Sequence, residues 1–133
     1  MKISRSLLDE IVEHAVADAP NECCGLVVGC DGIATRVRAL ENLAASPFRF
    51  DIDGRELLAV AFADDGEDAL TAIYHSHTRS APYPSQTDVN YAAGWPGVEW
   101  LIVGVPKDRT AEPEARSYLI ENGVIREVEL EVT

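Results

Sequence analysis

Eight residues, Leu70 to His77 (LTAIYHSH), constrain this chain most: an apolar run that reads as a buried strand and ends in two histidines. Alternate side chains on a strand share a face, so Ile73, His75 and His77 point the same way off the end of that strand. Two imidazoles so placed have the geometry to hold one metal ion between them. The continuation TRSAPYPSQTDVNYA extends the pattern. Pro84 cannot donate a backbone hydrogen bond, Ser85 follows as a natural helix N-cap, and Asp88 falls three residues on, on the same helical face as Ser85. Strand and helix can therefore aim His75, His77 and Asp88 at one point.

Two imidazoles and one carboxylate suit Zn²⁺ with an open fourth position, the arrangement of catalytic sites; structural zinc sites close all four positions, commonly with cysteine. Zinc lowers the pKa of a bound water to about 7, and peptide cleavage then needs a group that takes a proton and passes it to the leaving amine. Glu22 is the candidate, a lone acid at the mouth of the apolar strand CCGLVVG with no structural duty evident in the sequence.

The chain has 133 residues and is 47% hydrophobic. That suits one compact domain, residues 1–133, which buries roughly two-thirds of its unfolded surface. No apolar run approaches the about 18 to 20 residues of a membrane span, and the first residues read as an amphipathic helix, so a soluble, cytoplasmic protein with no membrane partner is expected. Cys23, Cys24 and Cys30 form no CxxC pair and read as small buried hydrophobes. The net charge is −12, and only Lys2 and Lys107 among the bases are lysine. Without a basic stripe, nucleic acid is not an expected partner. Acid excess with scarce lysine also suits solubility in high salt.

Helical spacing of Leu7, Leu8, Ile11, Val12, Ala15 and Val16 predicts a first helix over about residues 5–18, capped by Ser4 or Ser6. Asp31-Gly32 and Asn122-Gly123 each predict a tight hairpin, the second joining ARSYLI to a single strand VIREVELEV. A helix is expected over GRELLAVAFADDG, a short one over SQTDVNYAAG, and a core strand over Val98 to Val105. The acidic stretch Asp64 to Asp68 reads as a solvated loop. His14 is expected at the surface, Trp95 and Trp100 in the core or its rim, and Arg79 either against a substrate carbonyl or in solvent. The whole is one α/β domain with a mixed sheet and about three helices.

Glu22, the HSH at 75–77, seven further residues, Ser85, two residues and Asp88 resemble, residue for residue, the signature of the JAMM (JAB1/MPN+) metalloproteases, E…H-[S/T]-H-x7-S-x2-D. The grouping ECCG is similar to that of the short prokaryotic and archaeal, desampylase-like members. The resemblance implies a cytidine-deaminase-like α/β fold with a curved central sheet. It implies one zinc on His75, His77 and Asp88, with Glu22 as general acid/base and Ser85 donating to the oxyanion. It further implies hydrolysis after the Gly-Gly tail of a ubiquitin-like modifier or sulfur-carrier protein, or release of cysteine from such a carrier. The rival of another class is a non-catalytic MPN-type scaffold, in which ligands are typically missing. Other zinc folds fit worse: HxE or CxE with PCxxC is absent, as is HExxH, and an HxH amidohydrolase needs a much longer barrel. Oligomeric state is open.

Overall fold

Helix α1 (Arg5–Asp18) starts where Ser4 accepts a hydrogen bond from the Leu7 N–H, and it buries Leu8, Ile11 and Ala15. The computed structural model describes residues 1–62, 69–108 and 110–133. Around α1 these form β1 (Lys2–Ile3), β2 (Cys24–Cys30), β3 (Ile33–Leu40), α2 (Gly54–Phe62), β4 (Ala69–His77), α3 (Gln86–Ala92), β5 (Glu99–Gly104), β6 (Glu114–Glu121), β7 (Val124–Val128) and β8 (Glu131–Val132). The strands make one sheet in the order β7-β6-β5-β4-β2-β3-β1-β8. β4 pairs antiparallel with β2 and parallel with β5, so it lies at the centre of a mixed sheet. Register shifts along β2 at Val27/Val28 and Val28/Gly29 give bulges, which bend a sheet locally.

Both faces of the central strands are covered, which is why they read as continuous apolar runs. Ala72, Tyr74, Leu101 and Val103 pack with Leu8, Ile11 and Ala15 of α1. Ile73, Trp100 and Ile102 pack on the other face with Leu57 and Val60 of α2 and Ala92 of α3. Beyond the register shift, period-two alternation thus sends Ile73, His75 and His77 of β4 to the face shared with α2 and α3.

The first helix and the two hairpins lie where the sequence predicts them, and the hairpin turns carry positive φ at Asp31, Gly32, Asn122 and Gly123, the backbone a tight primed turn requires. Trp100 is fully buried, and Trp95 packs partly buried against the core. Cys23 and Cys24 are buried and Cys30 is half-buried. Three expectations need correction. VIREVELEV is not one strand: it breaks after Val128, and β8 crosses to the opposite end of the sheet to pair in parallel with β1, a two-residue strand too short to show a period. His14 is not a plain surface residue: its Nδ1 shares a 2.7 Å hydrogen bond with the Tyr74 hydroxyl and its Nε2 lies 3.3 Å from Asp18. A fully buried tyrosine needs a partner for its hydroxyl, and position 14 faces it. The second helix is described only to Phe62; its expected end and the acidic loop Asp64 to Asp68 lie outside the described residues.

Gly25 of β2 lies against the Tyr74 ring, where a methyl group would overlap the aromatic carbons. Because His14 holds that ring, Gly25→Ala should cost about 2 to 3 kcal/mol in urea unfolding, whereas the same substitution at the open position Gly54 should not.

Candidate functional site

Register builds the site. Cys24 of β2 pairs with His75 of β4, and continuing the antiparallel ladder two residues outward sets Glu22 beside His77. The ladder is closed there by two bonds: the Cys23 N–H donates to Ser76 Oγ at 2.8 Å, and the Ser76 N–H donates to the Cys23 carbonyl at 3.2 Å. Glu22 is buried, 6% exposed, on the same face as the histidines. One donor atom each from Glu22, His75 and His77 lies within 4.8 Å of the others.

Asp88 arrives from α3. Ser85 caps that helix with a reciprocal box: its hydroxyl accepts from the Asp88 N–H at 3.1 Å, and its own N–H donates to Asp88 Oδ2 at 2.9 Å. The same Oδ2 lies 3.1 Å from His75 Nε2 and 3.4 Å from His77 Nε2, and the two Nε2 atoms are 3.2 Å apart. Three donors around a tetrahedral ion with bonds of about 2.0 to 2.1 Å would stand about 3.3 Å from one another. The observed triangle has that size, and the residues present fit a metal ion.

The histidines are held differently. His77 Nδ1 lies 2.8 Å from the Ala81 carbonyl, which can only accept, so this nitrogen carries the proton and the Nε2 lone pair of the neutral ring faces the centre. His75 is completely buried; its Nδ1 has no hydrogen-bond partner among the described residues, and its ring is fixed by packing, stacked on Phe50 at 4.5 Å with the edge of Trp100 at 6.1 Å.

Burial pushes the Glu22 carboxyl up to about 7, against the lowering effect of His77. This is near the value that suits a group passing protons at neutral pH. Burial would raise Asp88 too, but the His75 charge, hydrogen bonds to both histidines and the Ser85 N–H hold it well below the usual carboxylate range. Burial lowers His75, while His77, opposed by burial, is raised by Asp88 and the Ala81 carbonyl.

The cleft over these groups is narrow, about 60 Å³, with Glu22, Phe48, His77, Ser85 and Asp88 in its walls. A larger cavity of about 330 Å³, between α3 and the turn after β6, has no titratable side chain in its walls but Glu121 and lies away from the histidines. Glu22, His75, His77, Ser85 and Asp88 are thus brought together, and Arg79 stands exposed at the rim with its guanidinium 5.2 Å from the Phe48 ring centre.

Three supporting residues were not singled out in the sequence. Asn42 uses both amide hydrogens on the carbonyls of Glu22 (2.9 Å) and Arg49 (3.0 Å), and its oxygen accepts from the Ala44 and Asp51 N–H groups. It ties the irregular loop to the strand that carries Glu22; an Asn opening a non-repetitive stretch was the available signal. Phe50 closes over His75 from that loop. Tyr118, from β6, donates its hydroxyl to the Pro82 carbonyl at 2.6 Å, and Pro82 rests against Gly104, where a Cβ would crowd it. Tyr118 therefore braces the segment between His77 and Ser85.

Fold and site have counterparts. A JAB1/MPN domain protein from Archaeoglobus fulgidus superposes with a TM-score of 0.68 at 26% identity, over 99% of this chain and 98% of that one. The architecture is that of the JAB1/MPN domain. Residues 4–121 match the family described as prokaryotic homologs of the JAB domain. A CysO-cysteine peptidase of Mycobacterium tuberculosis is 35% identical over 131 residues, 94% of this chain and 86% of that protein. A desampylase of Haloferax volcanii is 37% identical over 102 residues, 73% and 72% of the two. This chain belongs to the prokaryotic JAB family, and with these relatives it is a hydrolase of peptidase type. Among the described residues no helix is long and apolar enough to cross a membrane.

Tyr118→Phe should lower stability by about 1 kcal/mol, the usual net value of one hydrogen bond. Because the brace lies between His77 and Asp88, it should also weaken divalent-metal affinity in equilibrium titration. Equal affinity in the two proteins would show that Tyr118 does not position the cluster.

Proposed function

We propose that this protein is a zinc-dependent peptidase that hydrolyses the bond after the C-terminal Gly-Gly tail of a ubiquitin-like modifier or sulfur-carrier protein, with residues 1–133 acting as one catalytic domain. The observation that carries the proposal is the triangle of His75 Nε2, His77 Nε2 and Asp88 Oδ2, with buried Glu22 beside it. Asp88 is the better third ligand, because its oxygen touches both imidazoles and is fixed by the Ser85 N–H. Glu22, further out, is free to handle protons. The buried free thiols of Cys23 and Cys24 suit a reducing cytoplasm.

His75, His77 and Asp88 would hold a zinc ion, which would supply Lewis acidity there. The Glu22 carboxylate takes a proton from the attacking water as its oxygen bonds to the carbonyl carbon, and returns that proton to the nitrogen as the C–N bond breaks. The second proton of the water stays on the new carboxyl group, so the products are a carboxylic acid and an amine, which at neutral pH become a carboxylate and an ammonium. The Ser85 hydroxyl accepts from the Asp88 N–H through a lone pair, so its hydrogen stays available to the developing oxyanion. Capping and catalysis are compatible in that one group. A cleft of about 60 Å³ favours glycines beside the reacting bond.

A second reading, release of cysteine from a sulfur carrier, is favoured by the coverage of the mycobacterial cysteine peptidase, 94% of this chain against 73% for the desampylase. The two share one chemistry and differ in the amine released. A non-catalytic scaffold is disfavoured by the complete set of polar groups.

Elemental analysis should find about one zinc per chain, and His77→Ala or Asp88→Ala should remove most of it. Glu22→Gln should keep the metal yet lose at least about 10²-fold in kcat, since an amide keeps the shape but cannot shuttle a proton. Wild-type turnover by Glu22→Gln would overturn the assignment. With a cleavable carrier, replacing the penultimate glycine by leucine should lower kcat/KM at least about tenfold, on the order of 1.4 kcal/mol; equal rates would indicate a general peptidase.

A further inference from the structure

Although the chain carries a net charge of −12, the rim of the cleft is cationic. Arg49 lines the cleft itself. Arg79 and Lys107 line an adjoining recess of about 200 Å³, two residues beyond His77 in the case of Arg79. Elsewhere Arg38 pairs with Glu56, and Arg116 with Glu114 and Glu127. Among the described residues, no carboxylate lies within ion-pairing distance of Arg49, Arg79 or Lys107.

Of the three, Arg79 is the one whose cationic group lies over an aromatic ring. Thr78 before it is buried, with its hydroxyl 2.7 Å from the Pro20 carbonyl and 3.3 Å from the Pro47 carbonyl, so this position is tied to the segments that lead into Glu22 and Phe48. The guanidinium lies over the Phe48 ring, 5.2 Å from its centre, and none of its N–H groups is hydrogen-bonded among the described residues. A fork of N–H donors so held matches a carboxylate. In the peptidase reading above, on which this inference rests, the reacting bond lies at His77. A leaving group that is an amino acid places its α-carboxylate two bonds from the departing nitrogen, at the rim; a lysine side chain places only methylenes there.

We propose that Arg79 is a specificity residue that binds the α-carboxylate of the leaving amino acid, so that the protein favours carriers ending in Gly-Gly-amino acid with a free C-terminus over lysine-linked conjugates. Arg79→Lys keeps the charge but not the fork or the stacking, and it should restore only part of the preference.

The test compares a Gly-Gly-alanine peptide as free acid and as carboxamide. The zinc-loaded wild type should cleave the acid about 10- to 100-fold faster in kcat/KM, Arg79→Ala should bring the ratio close to one, and Arg79→Lys should fall between. A carboxylate elsewhere on the carrier as the true ligand would leave the wild-type ratio at one. Equal rates in the wild type, or a preference that survives in Arg79→Ala, overturns the proposal. Calorimetric binding of the same two peptides to Glu22→Gln gives the ratio without turnover. If neither peptide is cleaved, the peptidase reading fails on its own, while tighter binding of the acid, lost with Arg79, still sustains the carboxylate site and equal binding still sinks it.

Discussion

Cys24 opposite His75 in the β2–β4 ladder is the pairing on which the site depends. It sets Glu22 beside His77 and sends Glu22, His75 and His77 to one face. A one-residue slip would turn Glu22 and both apolar sets to the wrong side. The register is pinned from both directions: Leu26, Ile73 and Trp100 fill one face, Val27, Tyr74 and Leu101 the other, and Ser76 with Cys23 closes the ladder at its end. The core thus specifies the geometry of the candidate site, because the buried end of β4 is also the part that carries the histidines.

Holding ionisable groups out of water is costly unless they find partners, and around Asp88 the partners are shared. Asp88 Oδ2 serves the Ser85 N–H and both imidazoles, while His77 is oriented by the Ala81 carbonyl and His75 by packing on Phe50. Each support comes from a different segment: Phe50 and Asn42 from the loop before α2, Tyr118 from β6, Ser85 from α3. Shape at the cleft is therefore set by long-range contacts, and a metal ion bound there would stabilise the folded chain by linkage.

This division explains what could be read in the sequence. Periodicity and local turn chemistry are carried by neighbouring residues, so α1, the Asp31-Gly32 and Asn122-Gly123 hairpins, the strand bearing HSH and the Ser85 cap were legible, and so was the convergence of His75, His77 and Asp88. What depends on distant partners was not. The break at Glu129 and Leu130 follows from β8 pairing with a two-residue strand 128 positions or more away in sequence from its own residues. His14 turned inward to serve Tyr74, Asn42 served four backbone groups, and Tyr118 reached Pro82, each for reasons visible only once the sheet was assembled.

The central claim is that His75, His77 and Asp88 hold one zinc ion with a position left open. X-ray absorption at the zinc edge of the loaded protein tests it most directly. The account predicts a four-coordinate site of nitrogen and oxygen ligands at about 2.0 to 2.1 Å, with the scattering signature of two imidazoles and no sulfur. A sulfur shell at about 2.3 Å, which would bring in Cys24 or another of the cysteines, or a single imidazole, would contradict it.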